Sequence, residues 1–186
     1  MTDTFTTFLL DPPWPESGGG KIRRGAERHY PLMKVRDMPA TILGSGLWRP
    51  AEHAHVWLWT TNTYLPDALW LLGRLGARYR TNVVWVKQRP GIGQYFRGKH
   101  ELLLFATIGN GKHPSVYSGR RDLPSEFHAN RTRHSVKPPE SYELIEARSV
   151  GLRVEFFART ARPGWTAWGP HSGLVPTYDQ KMVSTP

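Results

Sequence analysis

Six short apolar runs, rich in β-branched and aromatic residues, most constrain what this chain can fold into. They are residues 4–10 (TFTTFLL), 55–60 (HVWLWT), 81–87 (TNVVWVK), 101–107 (ELLLFAT), 152–159 (LRVEFFAR) and 165–168 (WTAW). Runs of this length and composition, bounded by Gly, Pro and Asn, read as strands. Helical patterns lie between them. Leu65, Leu69, Leu72 and Leu75 recur at helical spacing. A short helical piece is expected over 39–43. Pro138-Pro139-Glu140 opens another helix running to about Arg148, with proline tolerated in its first turn. Strands alternating with helices predict a three-layer α/β fold around a mostly parallel sheet. Ligands of such sheets sit beyond the carboxyl ends of the strands, where Asp11, Asn62 and Arg159 fall.

The remaining segments, 15–29, 89–99 and 109–133, have no clear hydrophobic period and read as loops. With 186 residues the chain suits one domain, expected over 1–173, with a flexible tail over 174–186. It has no cysteine, which excludes disulfides, thiolate metal sites and a cysteine nucleophile. Its first ten residues lack the basic and apolar regions of a signal peptide. No apolar stretch is long enough to span a bilayer. A cytoplasmic protein with no membrane partner is expected.

Lys and Arg number 25 against 15 Asp and Glu, a net charge of +10. Such an excess favours polyanions through long-range steering and phosphate neutralisation. The cations cluster in two loop segments: Lys21, Arg23, Arg24 and Arg28, then Arg120, Arg121, Arg131 and Arg133. The eight histidines, among them His53, His55, His128 and His134, follow no zinc-binding spacing, and no metal is expected. Neither Gly18-Gly19-Gly20 nor Gly91-Ile92-Gly93 has the spacing of a phosphate loop; both read as hinges of loops that close over substrate.

Asp11-Pro12-Pro13-Trp14 follows the first strand directly. The carboxylate can accept a hydrogen bond from an exocyclic amine. Proline has no backbone N–H, and its carbonyl offers a second acceptor. The two rings stiffen the turn, so both acceptors are preorganised. The indole offers a face for stacking a base. Two acceptors converging on one NH2 group suit the N6 of adenine. By composition alone the same four residues also make an ordinary rigid turn.

Further motifs occur in order along the chain. Tyr30-Pro31-Leu32-Met33 follows the turn. Leu58-Trp59-Thr60-Thr61-Asn62, Val84-Trp85-Val86-Lys87 and Gly98-Lys99-His100-Glu101 come next. His134-Ser135-Val136-Lys137-Pro138-Pro139-Glu140, Glu155-Phe156-Phe157-Ala158-Arg159 and Gly164-Trp165-Thr166-Ala167-Trp168-Gly169 complete the set. Together they resemble the MTA-seventy family, that of the eukaryotic mRNA adenosine N6-methyltransferase and its bacterial and phage relatives. The resemblance covers residues 5 to 173.

This resemblance implies a Rossmann-like methyltransferase fold with permuted motif order, catalytic turn first and cofactor strand last. It implies S-adenosylmethionine as cofactor and adenine N6 as acceptor. Asp11, Pro12, Pro13 and Trp14 would be catalytic. Asp11, Lys99, Glu155, Arg159 and His171 would bind the cofactor, Lys99 through its methionyl carboxylate. Glu155 and Arg159 are expected on one face of the same strand. Trp14, Tyr30 and Asn62 would border the base. Lys21, Arg23, Arg24, Arg131 and Arg133 would hold the nucleic-acid backbone. The family's usual Asn after the tryptophan strand is replaced by Pro170, which weakens the parallel at the adenosyl pocket. DNA is favoured as substrate because this compact chain carries no recognisable RNA-binding module; RNA is the alternative. A homodimer, a heterodimer with a related subunit, or a catalytically silent subunit of such a pair would share the same motifs.

Overall fold

The computed structural model describes residues 3–15, 33–91, 95–130 and 136–169. A seven-stranded sheet runs through it. The strands are β1 (Phe5–Leu10), β2 (Pro50–Thr60), β3 (Arg78–Val86), β4 (His100–Ile108), β5 (Glu126–His128), β6 (Arg153–Phe156) and β7 (Thr166–Trp168), in the order β5-β3-β4-β2-β1-β6-β7. Only β4 runs against the others, pairing antiparallel with both β2 and β3. The helices are α1 (Met38–Gly44), α2 (Leu65–Arg74) and α3 (Pro139–Arg148). Among the described residues no helix is long and apolar enough to cross a membrane.

The period-two alternation of the central strands sorts their side chains into two cores. Phe8, Leu10, Val56 and Leu58 meet Met38 and Ile42 of α1 and Ala68, Leu71 and Leu72 of α2 on one face. Leu9, Trp57, Trp59 and Leu103 meet Tyr142, Leu144 and Ile145 of α3 on the other. That is the three-layer arrangement, and it explains why β1 reads as an unbroken apolar run: it is buried on both faces. Each helix carries a proline in its first turn, where the missing N–H costs no hydrogen bond. At the other end of α2, Gly76 adopts φ 73°. Its N–H reaches the Gly73 carbonyl, and that of Ala77 reaches the Leu72 carbonyl. Glycine is suited to this left-handed stop, which turns the chain into β3.

Several expectations shift. The helical spacing at 65–75 is correct in kind, but Leu69 is exposed while Ala68, Leu71 and Leu72 are buried. The stretch 109–133, expected to be irregular, contains the short edge strand β5, whose three residues carry no readable alternation. The strand expected over 152–159 stops at Phe156. Phe157 follows at φ 63°, alone among the described non-glycine residues in the left-handed region.

Strand order sets where a ligand belongs. From β1 the chain proceeds through α1 to β2 on one side, and from β6 to β7 on the other. The seam between β1 and β6 is thus the topological switch point, and the crevice beyond their carboxyl ends is the expected ligand site.

Candidate active site

Asp11 is the first residue past β1, directly at that seam. Its backbone N–H still bonds the Phe156 carbonyl of β6 at 3.3 Å, and the residue is only 9% exposed. A buried carboxylate needs partners, and two cations supply them. Lys137 Nζ lies 3.0 Å from Oδ1, and Arg159 Nη2 lies 3.6 Å from Oδ2.

Lys137 also lies 3.1 Å from Glu101 Oε2, and the other oxygen of Glu101 accepts a bond from Lys87 Nζ at 2.5 Å. The result is a row of alternating charge: Lys87, Glu101, Lys137, Asp11, Arg159. It follows the sheet order β3, β4, β2, β1, β6. Lys87 follows the last residue of β3, Glu101 is near the start of the reversed β4, and Arg159 lies three residues beyond β6. Over β2 the row is carried by Lys137, whose ammonium stands 5.1 Å above the Trp59 ring; Lys87 stands 4.9 Å above Trp85. Indole faces attract such cations and are impermeable to water from below.

The row changes the acidity of its members. Burial pushes the Glu101 carboxyl up, but the Lys137 and Lys87 ammoniums outweigh it and bring the pKa down to about 2. Burial opposes the charge of Lys137 too, yet Asp11 and Glu101 overcome it and raise its pKa above the ordinary lysine value. Both stay ionised across the physiological range.

Behind Asp11, Glu155 of β6 behaves differently. Burial is the largest influence and, with the nearby negative charge of Asp11, pushes its carboxyl up to about 7, although a hydrogen bond from Tyr142 pulls the other way. The Tyr142 hydroxyl donates to Oε1 at 2.9 Å, and the Arg162 guanidinium lies 3.7 Å over the Tyr142 ring.

The turn itself is rigid. The Trp14 N–H donates to the Pro12 carbonyl at 2.8 Å, and the Met33 N–H donates to the Pro13 carbonyl at 3.1 Å. The Pro12 carbonyl is therefore already engaged and keeps only its second lone pair for a substrate amine. Trp14 is 7% exposed. Its indole N–H donates to the Trp59 carbonyl at 2.9 Å, and one face stacks on Tyr64 with centroids 5.4 Å apart. Tyr64 in turn donates to the Pro15 carbonyl at 2.7 Å. Trp14 is a fixed wall with one face already occupied, not an open platform.

The geometry now has a family to answer to. The MT-A70 family model matches residues 5–171. The chain belongs to the MT-A70 family. This is the MTA-seventy class that its motifs resemble, and its members are methyltransferases that generally draw on S-adenosylmethionine. A search of curated proteins gives no significant match.

Of the residues expected to form an MT-A70 site, the structure brings Asp11, Pro12, Pro13, Trp14, Glu155 and Arg159 to one crevice. Glu155 and Arg159 do not share a strand face, because β6 ends between them and Phe157 redirects the chain. Lys99 is exposed one residue before β4, at the same edge of the sheet. Asn62, two residues past β2, accepts a hydrogen bond at Oδ1 from His100 Nε2 at 3.0 Å. Lys21, Arg23, Arg24, Tyr30, Arg131, Arg133 and His171 lie outside the described residues.

The donor set suits S-adenosylmethionine. The crevice offers carboxylates at Asp11 and Glu155 for ammonium and hydroxyl groups and a cation at Arg159 for a carboxylate, with Lys99 exposed along the same edge of the sheet. Among the described residues only one oxygen of Glu155 has a hydrogen-bond partner, so the other remains available. Residues given no role by sequence are also present: Lys137, Glu101, Lys87, Tyr142 and Tyr64. Three of them stand inside the quoted motifs, at the end of Val84-Trp85-Val86-Lys87, the end of Gly98-Lys99-His100-Glu101 and the middle of the Ser135–Pro138 stretch. The signal was there, but nothing in it said that the three side chains meet.

Proposed function

We propose that this chain transfers a methyl group to the N6 amine of adenine in nucleic acid, with DNA the favoured substrate. What carries the reading is the Asp11 carboxylate, held at the switch point between β1 and β6 by Lys137 and Arg159. Those two contacts fix its direction, with lone pairs left to accept an N–H.

When bound, S-adenosylmethionine supplies an electrophilic methyl group on a sulfonium centre; Lys99, Glu155 and Arg159 would hold it, with Asp11 at the seam. The protein's task is to make a poor nucleophile presentable. The N6 lone pair is delocalised into the purine ring. Hydrogen bonds from the amine to Asp11 and to the remaining lone pair of the Pro12 carbonyl favour a pyramidal nitrogen with its own lone pair directed at the methyl carbon. That lone pair would form the new N–C bond as the methyl–sulfur bond breaks and leaves its electron pair on a neutral thioether sulfur, and the proton made acidic by alkylation would leave afterwards through Asp11 or water. This is positioning and electrostatics, with no covalent enzyme intermediate.

Net charge of +10 supports a polyanionic substrate. The deciding experiment is transfer from labelled S-adenosylmethionine to single- and double-stranded DNA and RNA, with digestion to nucleosides. N6-methyldeoxyadenosine is expected. N6-methyladenosine from RNA alone would reverse the substrate. Absence of transfer to all four would leave an enzyme awaiting its partner if the cofactor still binds, and a silent subunit if it does not.

A further inference from the structure

We propose that Tyr95 and Phe96 form a stacking site for unpaired bases of the nucleic acid that carries the target. The proposal deepens the reading above and rests on its nucleic-acid substrate. The two rings are adjacent in sequence and 93% and 89% exposed. Other exposed large apolar residues of the described chain keep half or more of their surface covered or nearly so, such as Trp70 and Tyr79. A single exposed aromatic needs no explanation, but two neighbours left almost wholly in water do.

Their location is specific. They belong to the connection between β3 and β4, which emerges at the carboxyl edge of the sheet, where Asp11 sits. Its base is clamped. The Lys87 N–H donates to the Lys99 carbonyl at 2.8 Å, the Gly91 N–H to the Gly98 carbonyl at 2.7 Å, and Arg97 Nε to the Gly91 carbonyl at 3.4 Å. Beneath that clamp Lys87 pairs with Glu101, and Glu101 shares Lys137 with Asp11. The rings are thus carried on an extension of the antiparallel pair that is tied directly into the active-site charge row.

Charge selects the partner. Between Lys87 and Glu101 every charged side chain is a cation: Arg89, Arg97 and Lys99. None of the three is ion-paired among the described residues. Aromatic faces interleaved with cations that make no ion pair suit bases and their phosphates. Only unstacked bases present a free face, and methylation at N6 of a paired adenine requires that the adenine leave the helix and uncover its neighbours.

The test uses the full chain and a fluorescein-labelled single-stranded oligodeoxynucleotide containing adenine, followed by anisotropy at low and high salt. The Tyr95→Ala/Phe96→Ala double variant is expected to bind roughly ten- to hundredfold more weakly at both salts. A Tyr95→Trp/Phe96→Trp variant should bind like the parent, and all three proteins should melt alike. Parent-like binding by the alanine variant would overturn the stacking site alone. So would a deficit that vanishes at high salt, which would leave only the neighbouring cations, or a changed oligomeric state with unchanged affinity, which would make the rings a protein interface. Failure of the parent to bind DNA or the matching RNA would instead sink the nucleic-acid reading itself.

Discussion

The Lys137 ammonium lies 3.0 Å from the Asp11 carboxylate, so the group proposed to grip the substrate amine is itself gripped. Lys137→Met should separate the two. Asp11 would keep Arg159 alone and Glu101 would keep Lys87 alone. Removing one partner of a buried ionic cluster costs about 3–5 kcal/mol of stability, and loss of a preorganised electrostatic contact costs about 10²-fold or more in turnover. Lys137→Arg should recover part of the activity. Urea unfolding and labelled methyl transfer read the two effects separately; turnover within a few fold of the parent in the methionine variant would remove Lys137 from the mechanism.

The pH profile of stability should have a plateau with a steep acid side. Glu101 is held near 2 against about 4.5 unfolded, so its contribution is present above 4.5 and is lost as pH falls towards 2. Glu155 runs oppositely. Its folded pKa near 7 lies above the unfolded value, so its contribution is present below 4.5 and is lost as pH rises through 7. His55, kept neutral mainly by burial with a pKa near 4, loses stability as pH falls below 6.5. Between 4.5 and 6.5 the Glu155 and His55 slopes oppose. Glu155→Gln should therefore turn the plateau into a rise with pH across that window, measured by denaturant unfolding at a series of pH values. A flat profile in the variant would refute the assignment.

Tyr142→Phe removes the hydroxyl that donates to Glu155. The carboxylate then loses its stabilising donor, and its pKa should climb further. A stability loss of about 1–3 kcal/mol is expected for an acceptor left unpaired. Calorimetric titration with S-adenosylmethionine across neutral pH should find the onset of tight binding moved to higher pH. An unmoved onset would mean that Glu155 does not touch the cofactor.

Ser149→Ala serves as the remote comparison. Its hydroxyl accepts from Trp57 Nε1 at 3.1 Å and donates to His55 Nδ1 at 2.8 Å, while His55 Nε2 donates to the Gly111 carbonyl at 2.8 Å. Cutting this chain should lower stability by about 1–3 kcal/mol. Methyl transfer by the folded fraction should stay within about twofold of the parent. A large fall in turnover per folded molecule would show that the two ends of the sheet are coupled.

How much of this was legible in sequence depended on the kind of signal. The long central strands were readable because burial on both faces makes them continuous apolar runs. Strand β5 was not, since two exposed residues around a single half-buried one are too few to show a pattern. Over 65–75 nearly every position that could point inward is apolar, so periodicity gave the helix but not its rotation: Leu69 and Leu71 are equally plausible until β2 and β3 lie beneath them. Asp11 was readable from its turn chemistry. Lys137, Glu101 and Lys87 were visible in motifs but had no role there, because their meeting is decided by strand order and by the reversal of β4. Phe157 was invisible, and with it the early end of β6.

The alternating row has a consequence for how such a sequence can vary. Lose an interior cation and two carboxylates face each other; lose a carboxylate and two cations do. Single changes at 11, 87, 101, 137 or 159 are each disruptive, whereas a compensated exchange at neighbours such as 101 and 137 removes both members of a contact at once. Through descent or design, those five positions should be inherited as one character.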